Sequence, residues 1–210
     1  MPTKDEQLAS SRGNFRGSGV VGAWAYFEER YGRAAVHGVV TAITPELRAL
    51  VAPNSANLGF LPTKLYSYPL VGAIVRAMIN VVRPADEDTF IRELAQAGMD
   101  RTLTTVNRLM LHYMVTPERY AARAQQIWSL YHDSGVVTVL PSKSNEYRVQ
   151  LSDWPSHDAV VCRLCLEARR RSLEYMGAVI TEARREKCQS WGHDVCTHLF
   201  SWSSLGGKVR

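Results

Sequence analysis

The sequence predicts an α+β domain: an N-terminal run of helices packed on a small antiparallel sheet, with a helix–hairpin–helix–hairpin C-terminal half. Three observations predict it. Apolar residues recur at helical spacing through roughly the first two thirds of the chain. The period then switches to strict alternation in EYRVQL, where Tyr147, Val149 and Leu151 share one face. A second β-rich pair of segments, about 178–188 and 194–202, closes the chain.

The elements follow in order. Residues 1–18 are polar and rich in Gly and Ser and read as a flexible tail. In VVGAWAYFEERYG, Val20, Trp24 and Phe27 lie at helical spacing, and Gly32 suits a helix end. Thr44-Pro45-Glu46 starts a short helix with a Thr cap and Pro in the first turn. LYSYPLVGAIVRAMINVV is apolar almost all round, which predicts a buried helix; Arg76 and its length argue against a membrane span. Asp86, Glu87 and Asp88 open a long helix expected to run through Phe90, Leu94 and Met110 to about Tyr113. Thr116-Pro117-Glu118 repeats the start signal for a helix carrying Tyr120, Trp128 and Tyr131. PSKSN joins the first two strands as a hairpin. Ser156 is the expected cap of the next helix and Gly177 its end. One domain is expected over 19–203, with a second tail at 204–210.

Composition narrows the function. A content of 46% hydrophobic and 21% charged residues is that of an ordinary globular domain. The N-terminus has no apolar signal region, so a cytoplasmic location with reduced thiols is expected. A net charge of +5 is mild, and the runs Arg169–Arg171 and Arg184–Arg185 suit a solvated face better than a nucleic-acid surface. Neither membrane nor nucleic acid is an expected partner. There is no GxSxG, HExxH, Walker loop or GxGxxG, so no enzyme is predicted.

The stretch EKCQSWGHDVC carries Cys188 and Cys196 on the arms of the last hairpin. A turn centred on Gly192 sets Cys188 opposite Cys196 and Glu186 opposite His198 on the same face. Cys162 lies on the apolar stripe of the preceding helix, which covers this sheet. Three thiols at one junction suit Zn²⁺, with Glu186, His198 or His193 as fourth ligand. The residues alone leave other readings open. Free cysteines act as small core hydrophobes, and cross-strand proximity would allow a disulfide.

EKCQSW followed by GHDVC resembles the closing motif of 4-vinyl-reductase-type small-molecule-binding domains, of the haem–nitric-oxide-sensor and TRAPP superfamily. IWSLYHDSG resembles the segment that holds their pocket tryptophan, here Trp128. FEERYG and the Cys-x7-Cys hairpin are also similar to an uncharacterised family expanded in myxobacteria. The resemblance implies a non-enzymatic sensory or regulatory domain that binds a small apolar or aromatic molecule and signals through a separate protein. It implies a pocket at Trp128, to which the apolar helices add Phe90 and Tyr113, and a structural zinc on Cys162, Cys188 and Cys196, for which the hairpin register offers Glu186. Arg185 stands where those sensors carry a glutamate ligand. The haem branch needs a Tyr-x-Ser-x-Arg string that does not occur here, so haem is not expected. The resemblance also supports the alternative of a dimeric protein-interaction module without a ligand. A homodimer is expected through an exposed face of the first helix bearing Trp24 and Phe27.

Overall fold

The computed structural model describes residues 13–103, 111 and 116–205, and its architecture is α+β. Strand β1 (Asn14–Arg16) leads into helix α1 (Gly17–Ala42). Residues 14–18 are therefore ordered elements and not tail: Asn14, Phe15 and Arg16 pair with Ser67, Tyr66 and Leu65 of strand β2 (Leu65–Ser67). Gly32 breaks α1 with φ 76° and ψ 176°, but the helix resumes beyond it where the sequence suggested an end. Glycine adopts that conformation without a Cβ penalty, so one helix bends and continues.

Helix α2 (Pro45–Arg48) is capped by Thr44, which accepts from the Leu47 amide. Helix α3 (Tyr68–Val82) begins with Pro69 and buries Leu70, Val71, Ile74, Val75 and Met78. That fits an interior helix whose apolar residues cover most of its circumference. Asp86 caps helix α4 (Glu87–Thr102), which stops at an extended Leu103; the expected continuation to Tyr113 lies outside the described residues. The next predicted helix is two: α5 (Pro117–Ala121) and α6 (Ala124–Tyr131), separated at Arg123 by a non-helical backbone.

Strands β3 (Val136–Leu140) and β4 (Glu146–Ser152) form the hairpin, with Val139 opposite Val149. Helix α7 (Ala159–Tyr175) is capped by Asp158, whose carboxylate accepts from the Val160 and Val161 amides at 2.9 and 3.2 Å. Ser156, the expected cap, instead sits at φ 56° in the preceding turn. Gly177, at φ 89°, turns the chain into strand β5 (Ala178–Lys187), and strand β6 (Cys196–Leu205) returns beside it. The antiparallel sheet has the order β3-β4-β6-β5.

One buried core runs from α1 and α3 through α7 to the inner face of β4 and β6. Trp24 and Phe27 lie inside it, fully buried, so the dimer face expected at those residues does not exist. They are inside because α1 packs closely on α4: a Cβ at Gly22 would stand 2.9 Å from the Gly98 Cα. No described helix is long and apolar enough to cross a membrane.

Candidate functional site

Two constellations meet at α7. The first is a cavity of about 130 Å³ between α1, α3, α4, α6, α7 and β4. Val20, Ile74, Met78, Leu94, Ile127 and Val161 give it an apolar wall. Trp128 belongs to that wall, in a different manner from the one expected of a ligand-binding indole. Its N–H donates to the Ser134 carbonyl at 2.7 Å, and its ring lies flat on His132 at 3.4 Å. The indole is thus a fixed surface with its donor already used. Phe90 is buried against Tyr31 and does not line the cavity, because it points to the α1 side of α4. Tyr113 lies outside the described residues.

Polar groups reach the cavity from the end of α6, from β4 and from α7. His132 has its Nδ1 at 2.8 Å from the Tyr68 hydroxyl, and among the described residues the Cys165 thiol, at 3.9 Å, is what stands near Nε2. Burial and the charge of Arg169 hold its imidazole well below the usual range, so it is neutral. Burial pushes the Cys165 thiol up to about 12, which keeps it protonated. Tyr147 contributes a buried hydroxyl with no hydrogen-bond partner among the described residues. Arg169 lies over the Trp128 ring, 4.9 Å from its centroid, and its Nη1 is 3.2 Å from His198 Nδ1. An arginine only donates, so Nδ1 is the acceptor and Nε2 of the neutral His198 carries the proton. That Nε2 faces Cys162 Sγ at 3.4 Å.

The second constellation starts at that thiol. The ligand atoms of His157, Cys162, Cys188 and Cys196 all lie within 4.8 Å of one another. All three cysteines are fully buried, and the Cys188 and Cys196 sulfurs are 3.9 Å apart and unbonded, so the disulfide reading is not realised. Hydrogen bonding from the Cys162 thiol pulls Cys188 and Cys196 below their ordinary values, and Cys162 is raised in return. Burial opposes a charge on His157, yet hydrogen bonds and charge from Cys196 and Cys188 outweigh it and raise the imidazole.

The sequence placed Glu186 in this group, and the structure removes it. Arg185 pairs with His198 and Lys187 with Thr197, so Glu186 is the extra residue of a β-bulge. The bulge breaks the simple alternation, and the Glu186 carboxylate turns to Arg148, with contacts of 2.8 and 3.1 Å. Its place is taken by His157, a residue the sequence reading missed. The available signal was His157 standing five residues before Cys162, at the start of the covering helix. Three sulfurs and an imidazole are chemically a donor set for a soft or borderline metal ion.

No family model matches the chain. No curated protein matches it either. Solved structures do match. The Fe(II) unliganded H-NOX protein from K. algicida aligns with a TM-score of 0.66 at 12% identity, over 91% of this chain and 98% of that one. An H-NOX protein from S. oneidensis in the Fe(II)NO ligation state gives 0.64 at 10% identity, over 90% and 99% of the two chains. A structure described as probing heme distortion in the H-NOX family gives 0.57 at 12% identity, over 91% and 97%. These matches correct the cofactor expectation of zinc in preference to haem. The neighbours are described by Fe(II) and heme, and at about a tenth identity a missing sequence string is no argument against haem. What the chain shares with these H-NOX structures is the fold.

Proposed function

We propose that the chain is a non-enzymatic sensory domain whose cavity holds a small apolar or aromatic molecule and whose occupancy is read by a separate signalling protein. The observation that carries this reading is the mainly apolar cavity with a few polar groups in its wall. A dry cavity of roughly 150 Å³ holds a benzene-sized molecule, so a volume of about 130 Å³ suits one aromatic ring. The resemblance of IWSLYHDSG and EKCQSWGHDVC to 4-vinyl-reductase-type domains supports the same class of ligand. Free thiols suit the reducing cytoplasm. With Trp24 and Phe27 buried, a homodimer would require another face.

Haem is the second reading, favoured by the H-NOX neighbours and by His132. The donor chemistry fits: a neutral imidazole lines the cavity, one nitrogen is held by Tyr68, and Nε2 has only a weak thiol contact. The volume does not fit as it stands, so the helices around the cavity would have to part. Haem bound there would supply an iron centre for a diatomic ligand; His132 would hold it and Trp128 would fix the ring plane of His132.

Calorimetry with toluene and absorption titration with hemin separate the two readings. Saturable one-to-one toluene binding, lost when Ala95 or Ile74 is enlarged to fill the cavity, supports the apolar ligand. A Soret band that His132→Ala removes supports haem. Binding of neither probe overturns both.

The residues proposed for a metal site are Cys162, Cys188 and Cys196, with His157 in place of Glu186. Their link to the cavity is the chain of contacts from Cys162 through His198 to Arg169.

A further inference from the structure

We infer that the ligand of the cavity carries a carboxylate, and that Arg169 is its counter-ion; the inference rests on the apolar-cavity reading above. Helix α7 has four arginines whose surroundings can be compared. Arg163 pairs with Glu87 and Asp88, Arg170 with Glu167 and Glu174, and Arg171 with Asp100 and Glu174. Arg169 is the most buried of the four, at 8% exposure, and among the described residues it has no carboxylate partner. Outside the described residues, 104–110 and 112–115 contain no Asp or Glu, and the acidic side chains are Asp5 and Glu6 near the N-terminus.

A buried cation without an anion is expensive, because the protein replaces little of its lost hydration. The contacts Arg169 does make are an aromatic face and a neutral imidazole. Neither cancels its charge. That charge is felt across the cavity wall: it lowers the His132 imidazole and acts on the Tyr120 and Tyr147 phenols, all of which line the same space.

The Tyr147 hydroxyl is the second observation. It is buried at 3% exposure without a hydrogen-bond partner among the described residues, and its ring lines the cavity. Six buried polar atoms are unpaired among the described residues, and Tyr147 is the one of these residues that lines the cavity, where a ligand can supply the partner. One carboxylate satisfies both groups: it accepts from the guanidinium and from the phenol. A phosphate or other dianion would need further cations, and Arg169 is the cation lining the described cavity. The rest of the wall is mainly apolar, and the space is about one ring in size. The ligand class is therefore a small apolar monocarboxylic acid, aromatic or compact aliphatic.

The test uses the whole chain with benzoate and its near-isostere toluene as probes, measured by calorimetry on wild type, Arg169→Met and Tyr147→Phe. Wild type is expected to bind benzoate at least about tenfold more tightly than toluene. Arg169→Met should abolish the benzoate-to-toluene preference, read as a ratio within the variant; Tyr147→Phe should lower the same ratio by a smaller factor. Toluene binding equal to or tighter than benzoate in wild type overturns the carboxylate and leaves the cavity reading standing. An undiminished benzoate preference in Arg169→Met also overturns it. Failure of both probes in wild type overturns the cavity reading and the carboxylate with it. If Arg169→Met does not fold, the wild-type ratio and Tyr147→Phe still decide.

Discussion

The indole of Trp128 lies flat on the imidazole of His132, with ring centroids 3.4 Å apart and planes within 7°. One helical turn separates the two residues, so the stack is built by local geometry. Its effect is to bury His132 in aromatic surroundings, with Tyr68 at Nδ1 and the Trp154 ring at its edge.

A pH dependence follows. The His132 pKa is lowered in the folded state, first by burial and then by Arg169. Between that depressed value and about 6.5 the unfolded chain binds the proton and the folded chain does not. The His132 contribution to stability is therefore complete above about 6.5 and falls as pH drops below it, by up to about 1.4 kcal/mol per unit; His198, also lowered by burial, and the lowered Cys188 and Cys196 thiols add slope of the same sign. His157, whose pKa is raised, opposes this only weakly in that window. The difference in slope of urea midpoints between pH 5 and 7 for wild type and His132→Ala isolates its share, and an NMR titration should show the His132 ring unresponsive over the same range.

Trp128→Phe should cost about 1–3 kcal/mol, because the Ser134 carbonyl loses its donor and the stack on His132 shrinks. Toluene binding should weaken only modestly if the indole is a wall and not a donor to the ligand. Chemical denaturation and calorimetry on the same variant separate the two effects.

Gly98→Ala should destabilise the fold by about 1–3 kcal/mol. A Cβ there would stand 2.8 Å from the Gly19 carbonyl oxygen, forcing α1 and α4 apart. Both glycines line the cavity, so the same variant should change toluene affinity. Gly32→Ala is the control: it meets no atom within 4 Å, so its cost is the positive φ alone.

Asp158→Ala should cost about 1–2 kcal/mol, since one carboxylate caps α7 and also pairs with Arg76 of α3 at 2.7 Å. Asp158→Asn keeps the cap and loses the charge, so it should recover most of the loss. Thermal denaturation of the pair measures the share of each.

Cobalt(II) titration checks the proposed metal residues. Thiolate-to-metal charge-transfer bands should form in wild type and in Glu186→Ala alike. They should be lost in Cys162→Ser and weakened in His157→Ala. Bands that depend on Glu186 and not on His157 would restore the hairpin register read from the sequence.

Periodicity and turn chemistry determined most of the elements. The Thr44 and Thr116 caps, the Pro starts, the stop at Gly177 and the alternation of Tyr147, Val149 and Leu151 are local, and local preference reports them. The convergence of Cys162 on the hairpin thiols was legible because an amphipathic helix must cover the nearest apolar sheet face. Other features needed the tertiary structure. A single bulge between Arg185 and Lys187 moved Glu186 out of the thiol group, and no pattern of residue types marks where a strand takes an extra residue. His157 joined because Asp158, not Ser156, starts α7. Trp24 and Phe27 read as a surface until the glycine contact of α1 with α4 buried them. Arg169 looked like one of three solvated arginines in a row. Helix rotation put its two neighbours on carboxylates and Arg169 itself against the cavity, because consecutive side chains on a helix point about 100° apart. Sequence specifies which residues are near one another along the chain; charge without a partner is a property of three-dimensional packing, and only the folded chain decides it.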